Sequence, residues 1–176
     1  MATIDLIVLG MLKKESLSAY DLQKLVEYRN ISKWVKISTP SIYKKVIQLE
    51  QKGYIESQIK KEGKMPEKAV YSLTKAGEKE FEKLMLDISC KPINIYLDFN
   101  AVIVNMEYMT KDVQKQYLDN IDKNIKSLKK YIENNIELKA GISDIPKVGM
   151  EVLEQQYILV NKLEEWIDSL RKSTIQ

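Results

Sequence analysis

Residues 38–60 read Ser-Thr-Pro-Ser-Ile-Tyr-Lys-Lys-Val-Ile-Gln-Leu-Glu-Gln-Lys-Gly-Tyr-Ile-Glu-Ser-Gln-Ile-Lys, and this stretch decides the fold. A capping hydroxyl, Ser38 or Thr39, stands just before Pro40, a residue suited to the first turn of a helix. Ile42, Val46 and Leu49 then form one apolar stripe, with Tyr43 and Ile47 beside it. Lys44, Lys45, Gln48 and Gln51 occupy the other side, and Gly53 stops the helix. Past Gly53 the apolar period drops from 3.6 to about 2, so Tyr54 to Ile59 reads as a strand. The run from Lys60 to Lys68 carries charge, Gly63 and Pro66, which makes it a loop. Ala69 to Leu73 is a second strand, and the two form a hairpin with a long basic tip.

Upstream, Ile4, Ile7, Val8, Met11 and Leu12 follow helical spacing behind Thr3. Ser18 then opens a second helix, with Asp21 in the capping-box position and Tyr20, Leu22, Leu25 and Val26 as its apolar face. Downstream, Thr74 caps a fourth helix in which Phe81, Leu84, Met85 and Ile88 line up. Lys91-Pro92 marks the expected boundary between a domain over 1–90 and another over 91–176. The second part reads as all-helical, with helices over Ile95 to Met109, Val113 to about Leu138, and about Lys147 to Arg171. Leu153, Tyr157, Val160, Leu163, Ile167 and Leu170 recur by threes and fours on the last of these. Such stripes suit antiparallel or intersubunit coiled-coil packing.

The 176 residues carry a net charge of only +3, unevenly placed. Residues 1–80 hold 15 lysines and arginines against 10 acids, whereas 81–176 hold 13 against 15. Nine lysines against four glutamates crowd into residues 33–68. A basic first half joined to a near-neutral second half implies a polyanion binder coupled to something else. The chain has no histidine, which removes the commonest general base and the commonest metal ligand. One cysteine, Cys90, excludes an internal disulfide and a thiolate zinc cluster. With no phosphate-cradling glycine loop and no hydrolase motif, the chain reads as a non-enzyme without a cofactor. Its apolar runs are too short to cross a bilayer, and the expectation is a cytoplasmic protein.

Three helices, a hairpin with a basic tip and a further helix make the order of a winged helix-turn-helix. The residues also resemble a family, the PadR-like transcriptional regulators. Ile7-Val8-Leu9-Gly10-Met11-Leu12, then Leu17-Ser18-Ala19-Tyr20-Asp21-Leu22, are similar to its first two helices. Ser41-Ile42-Tyr43, Leu49-Glu50 and Gly53-Tyr54-Ile55 resemble its recognition helix and exit. Gly63-Lys64, Lys68, Tyr71, Leu73-Thr74 and Ala76-Gly77 resemble its wing and the helix after it. The likeness covers about residues 4–80, and the longer members share a helical second domain. Ser18-Ala19 replaces the histidine-glycine pair usual before the tyrosine, and Lys44 stands where a proline is common.

The fold expected is therefore mainly α with a small β-hairpin wing and an all-helical C-terminal dimerisation domain. Double-stranded DNA is the expected partner, met by Ser38, Thr39 and Ser41 near a helix N-terminus. Tyr43, Lys44, Lys45 and Gln48 would follow along that helix, with Lys61, Lys64 and Lys68 from the wing. Each has a plainer rival: lysines on a helix face are often just solvated, and Tyr43 can pack on the second helix. A second copy is expected, because one winged helix reads few base pairs and symmetric partners engage two half-sites. The stripe from Leu153 to Leu170 is the expected contact. The resemblance implies release from DNA by a small, often aromatic, effector; Trp34 is the candidate residue, against plain packing. A winged-helix adaptor that binds protein rather than DNA stands as the alternative.

Overall fold

A computed structural model describes residues 2–37, 40–61, 67–142 and 145–174 of the chain. The chain divides into two units, Met1–Ile93 and Asn94–Gln176. The first contains α1 (Ala2–Lys14), β1 (Leu17–Ser18), α2 (Ala19–Tyr28), a 3-10 turn (Ile31–Lys33) and α3 (Ser41–Gln51). It continues with β2 (Ile55–Lys60), β3 (Lys68–Leu73) and α4 (Lys75–Ser89). The strand Leu17–Ser18 was not expected; it pairs antiparallel with β3, Leu17 opposite Tyr71 and Ser18 opposite Val70. The sheet order is β1-β3-β2, and β2 meets β3 from Ile55 opposite Leu73 to Lys60 opposite Lys68.

The expected stripes meet in one core. Val8 and Leu9 of α1, Leu22 and Val26 of α2, Ile42, Val46 and Leu49 of α3, and Ile55 of β2 are all buried within it. Each such side chain stabilises the unit by roughly 1.5–3 kcal/mol relative to exposure. Ser18 caps α2 as the spacing predicts. Its hydroxyl accepts from the Asp21 amide at 3.2 Å, and its own amide donates to the Asp21 carboxylate at 3.3 Å. A reciprocal cap of this kind is worth about 1 kcal/mol.

The exit from α3 is tightly specified. Gly53 takes a left-handed φ of 71°. Its amide donates to the Glu50 carbonyl at 2.8 Å, and the Tyr54 amide reaches back to the Leu49 carbonyl at 3.0 Å. This terminates the helix with its last carbonyls satisfied. Thr74 then docks α4 onto that exit. Its amide donates to the Tyr54 carbonyl at 3.1 Å, its hydroxyl donates to the Gly53 carbonyl at 2.7 Å, and the same hydroxyl accepts from the Gly77 amide at 3.1 Å. Gly77 is buried so closely that a Cβ there would lie 1.9 Å from the Tyr54 carbonyl oxygen.

The second unit contains α5 (Asn100–Asn105), a 3-10 turn (Met106–Tyr108), α6 (Lys111–Lys139) and α7 (Lys147–Thr174). The expected helix over Ile95 to Met109 is corrected: only 100–105 is α-helical, and Ile95 and Tyr96 are 70% and 84% exposed. Among the described residues no apolar surface covers those side chains, and a short helix without packing is marginal in water. Helices α6 and α7 pair along their length. Leu118, Ile121, Ile125 and Ile132 of α6 are buried in one cluster with Val160 and Ile167 of α7. Lys129 meets Glu164 at 2.7 Å, and the Tyr157 hydroxyl donates to Glu133 at 3.3 Å. Arg171 pairs with Asp119 at the far end.

This packing takes up part of the expected dimer stripe. Leu153, Val160 and Ile167 are buried, and Tyr157, Leu163 and Leu170 pack against the same α6–α7 core. The first three are closed to a second copy, whereas Tyr157, Leu163 and Leu170 are half-buried and keep part of their surface.

The Gly77 contact yields a test. Gly77→Ala forces the Tyr54 backbone to move and is expected to destabilise the first unit by about 1–3 kcal/mol. Urea unfolding followed by circular dichroism measures this; an unchanged midpoint would contradict the close approach.

Candidate nucleic-acid interface

Helix α3 has an inner and an outer face. Ile42, Val46 and Leu49 point into the core, while Tyr43, Lys44, Ile47 and Gln51 are exposed. Their spacing of three and four puts these four on one outward strip. Ser41 and Gln48 are half-buried at its margin and share a groove of about 450 Å³ with Lys36 and Lys44. Pro40 occupies the N-cap position without a capping side chain. Ser38 and Thr39, expected near the phosphate-binding end, lie outside the described residues, as does Lys64 of the wing.

Lys45 departs from its expected role. Its ammonium lies 2.7 Å from the Asp5 carboxylate of α1, and the two side chains are only 10% and 15% exposed. The helical turn sends Lys45 inward between Ile42 and Leu49, so it ties α3 to α1 and is not offered to a partner. Lys44, one residue earlier, stays on the outer strip.

The wing flanks that strip. Lys60 and Lys61 are exposed, and Lys68 sits opposite Lys60 in the register. The Lys68 ammonium is 3.8 Å from Asp21, the partner of Ser18 in the cap of α2, so the start of β3 is tethered to the start of α2. Tyr71 lies half-buried on the same strand. Burial raises its hydroxyl above the usual tyrosine range, and the charge of Glu50 adds to this. It therefore stays neutral at physiological pH.

Between α2, α3 and β3 runs a second, larger groove of about 590 Å³, lined by Tyr20, Tyr43, Val46, Ile47, Lys68 and Tyr71 among others. Sequence reasoning assigned neither Tyr20 nor Ile47 to a site. The available signal was the four-residue step from Tyr43 to Ile47 outside the core stripe.

Trp34 is 40% exposed, its indole N–H donates to the Arg29 carbonyl at 3.5 Å, and it lines neither groove beside α3. Trp166 stacks on Phe99 with ring centres 5.9 Å apart, which is packing. Among the described residues no group of three or more acids or cysteines is placed to hold a metal, and no helix is long and apolar enough to cross a membrane.

Lys44 and Lys45 are adjacent but should respond differently to truncation. Lys45→Ala leaves the Asp5 charge buried alone and is expected to cost about 3 kcal/mol of stability. Lys44→Ala, on the solvent side, is expected to stay within about 0.5 kcal/mol of the parent. Thermal unfolding of the two variants compares them; equal stabilities would contradict the inward placement of Lys45.

With this geometry in hand, comparison with known proteins is informative. Residues 16–89 match the family of winged helix DNA-binding domains. No curated protein matches the chain in sequence. Among solved structures, Bacillus subtilis PadR in complex with operator DNA is 20% identical, with a TM-score of 0.81 over 98% of this chain and 99% of that one. The same protein in complex with p-coumaric acid is 16% identical, with a TM-score of 0.81 over 98% of this chain and 96% of that one. The Vibrio cholerae virulence activator AphA is 14% identical, with a TM-score of 0.74 over 97% and 96% of the two chains. The expected wing and helical second part are thus those of known regulators, and this chain is a winged-helix protein with the fold of PadR.

Proposed function

We propose that the chain is a PadR-like transcriptional regulator that binds DNA sequence-specifically, as a repressor and as a homodimer. The observation that carries this reading is the outer strip of α3, which stays exposed beside a lysine-bearing wing. A helix of this kind fits the major groove of B-DNA, and side chains on its outer strip reach base edges. Lys44 and Gln51 supply hydrogen-bonding groups, and Lys60, Lys61 and Lys68 lie where a neighbouring phosphate backbone would pass. The start of α3, with Ser41, offers backbone amides and a favourable dipole to a phosphate.

Fluorescence anisotropy on duplex DNA from the chain's own upstream region, against scrambled duplex, tests this. Tight binding to the upstream duplex is expected, with a log–log salt slope of about −5 if roughly six phosphates are neutralised. Equal, weak binding to both duplexes would reject the reading and favour a protein-binding adaptor.

Besides the half-buried part of the α7 stripe, the second unit offers a second copy further apolar side chains. Ile95, Tyr96, Val104 and Tyr108 are between 69% and 84% exposed, a run of large apolar side chains in the second unit. Exposed large apolar side chains mark a candidate interaction surface, and a twofold contact uses the same residues on both copies. Tyr96→Asp is expected to turn the dimer into a monomer by sedimentation velocity. A variant that stays dimeric would reject this surface, and a monomeric parent would reject the homodimer.

For release, an aromatic acid is the effector class to test first, since a protein of the same fold has been captured with p-coumaric acid. Such a ligand acts only by binding the DNA-free conformation better. Loss of anisotropy on adding p-coumaric acid to the complex is the expected outcome for an effector of that class; an unchanged signal would reject it.

A further inference from the structure

The outer strip of α3 contains a residue that phosphate and hydrogen-bond recognition leave unexplained. Ile47 lies four residues after Tyr43, three after Lys44 and four before Gln51, so it occupies the middle of the exposed strip. It is 53% exposed, beside Tyr43 at 43% and close to Tyr20 at 58%. The three line one groove, with Lys68 at its edge. An isoleucine has no donor or acceptor for a base edge or a phosphate. Burying it against DNA is favourable only where the DNA itself is apolar. In the major groove that feature is the C5 methyl group of thymine, which the other bases lack.

We propose that Ile47 is a specificity residue that reads a thymine methyl group in each half-site, with the Tyr43 ring forming the adjoining wall. The inference rests on the DNA-binding reading given above and adds which base the centre of the helix selects. Charge supports the same occupant: Lys44 stands on the strip beside the apolar pair, and Lys68, shared with Asp21 at 3.8 Å, lies at the groove edge. The stiff β-branched side chain suits the role, since it loses little rotamer freedom when a methyl group is set against it.

The test separates this inference from the function on which it rests. Random duplexes are enriched on the full-length protein, and each thymine of the selected site is then replaced by deoxyuridine, which removes only the methyl group. At one position in each half-site the parent is expected to lose about fourfold in affinity, the value of one apolar carbon removed from water. In Ile47→Ala the thymine and uracil duplexes should bind equally at that position, while replacements elsewhere behave as in the parent. A parent that selects a sequence yet binds all uracil duplexes as well as thymine ones overturns the Ile47 assignment and leaves DNA regulation standing. The assignment also fails if Ile47→Ala keeps the thymine preference, or if it changes the sedimentation coefficient, which would make the strip a contact between copies. Absence of any enriched sequence overturns the DNA-binding reading itself.

Discussion

The carbonyl oxygen of Tyr54 stands where four elements meet, and the shape of the first unit depends on what surrounds it. Behind it, Gly53 ends α3 in a left-handed turn that only a residue without a Cβ adopts freely. Ahead of it, β2 begins. From the other side Thr74 donates its amide to that oxygen, and Gly77 leaves no side chain to push it away. The end of α3, both strands of the wing and the start of α4 are therefore fixed to one peptide group. The hairpin is thereby tied to α3 at its Ile55–Leu73 end, with Lys60 and Lys68 at the opposite end of the register.

The inner side of α3 is held by different forces. Apolar burial of Ile42, Val46 and Leu49 supplies most of the stabilisation, and it is non-directional. The Lys45–Asp5 pair adds direction, because an ammonium and a carboxylate at 2.7 Å with little exposure define the rotation of α3 against α1. That rotation decides which residues face outward. Buried pairs of this kind contribute less to net stability than to specifying a single arrangement, which is the use suggested here. In the second unit the long α6–α7 pairing is closed by its own apolar stripe, and exposed apolar residues between 95 and 108 are left for other contacts.

The first unit was largely legible from spacing. The stripe through Ile42, Val46 and Leu49, the cap at Ser18 and the stop at Gly53 are local features, and each appears where the pattern placed it. What was not legible depended on tertiary context. The two-residue strand at Leu17–Ser18 exists only because β3 is alongside, and two residues carry no period. Lys45 reads as a surface lysine until Asp5, forty positions earlier, is brought beside it. The α7 stripe gave a correct helix, and its Leu153, Val160 and Ile167 are buried within the chain, since a heptad-like pattern says that a face is buried but not by which chain. The segment around Ile95 and Tyr96 misled in the opposite way: apolar residues in sequence implied a helix, and among the described residues no partner surface supports one. Ile47 was visible as apolar, but its exposure required the helix to be seated first.

The account stands or falls on the outer strip of α3 lying in the major groove. Dimethyl sulphate footprinting of a bound duplex reports this directly, because the reagent methylates guanine N7 on the major-groove edge. The account predicts that guanines within the bound site are protected at saturating protein, in two patches about one helical turn apart, one for each copy. Full N7 methylation across a saturated site would place α3 outside the major groove and contradict the account.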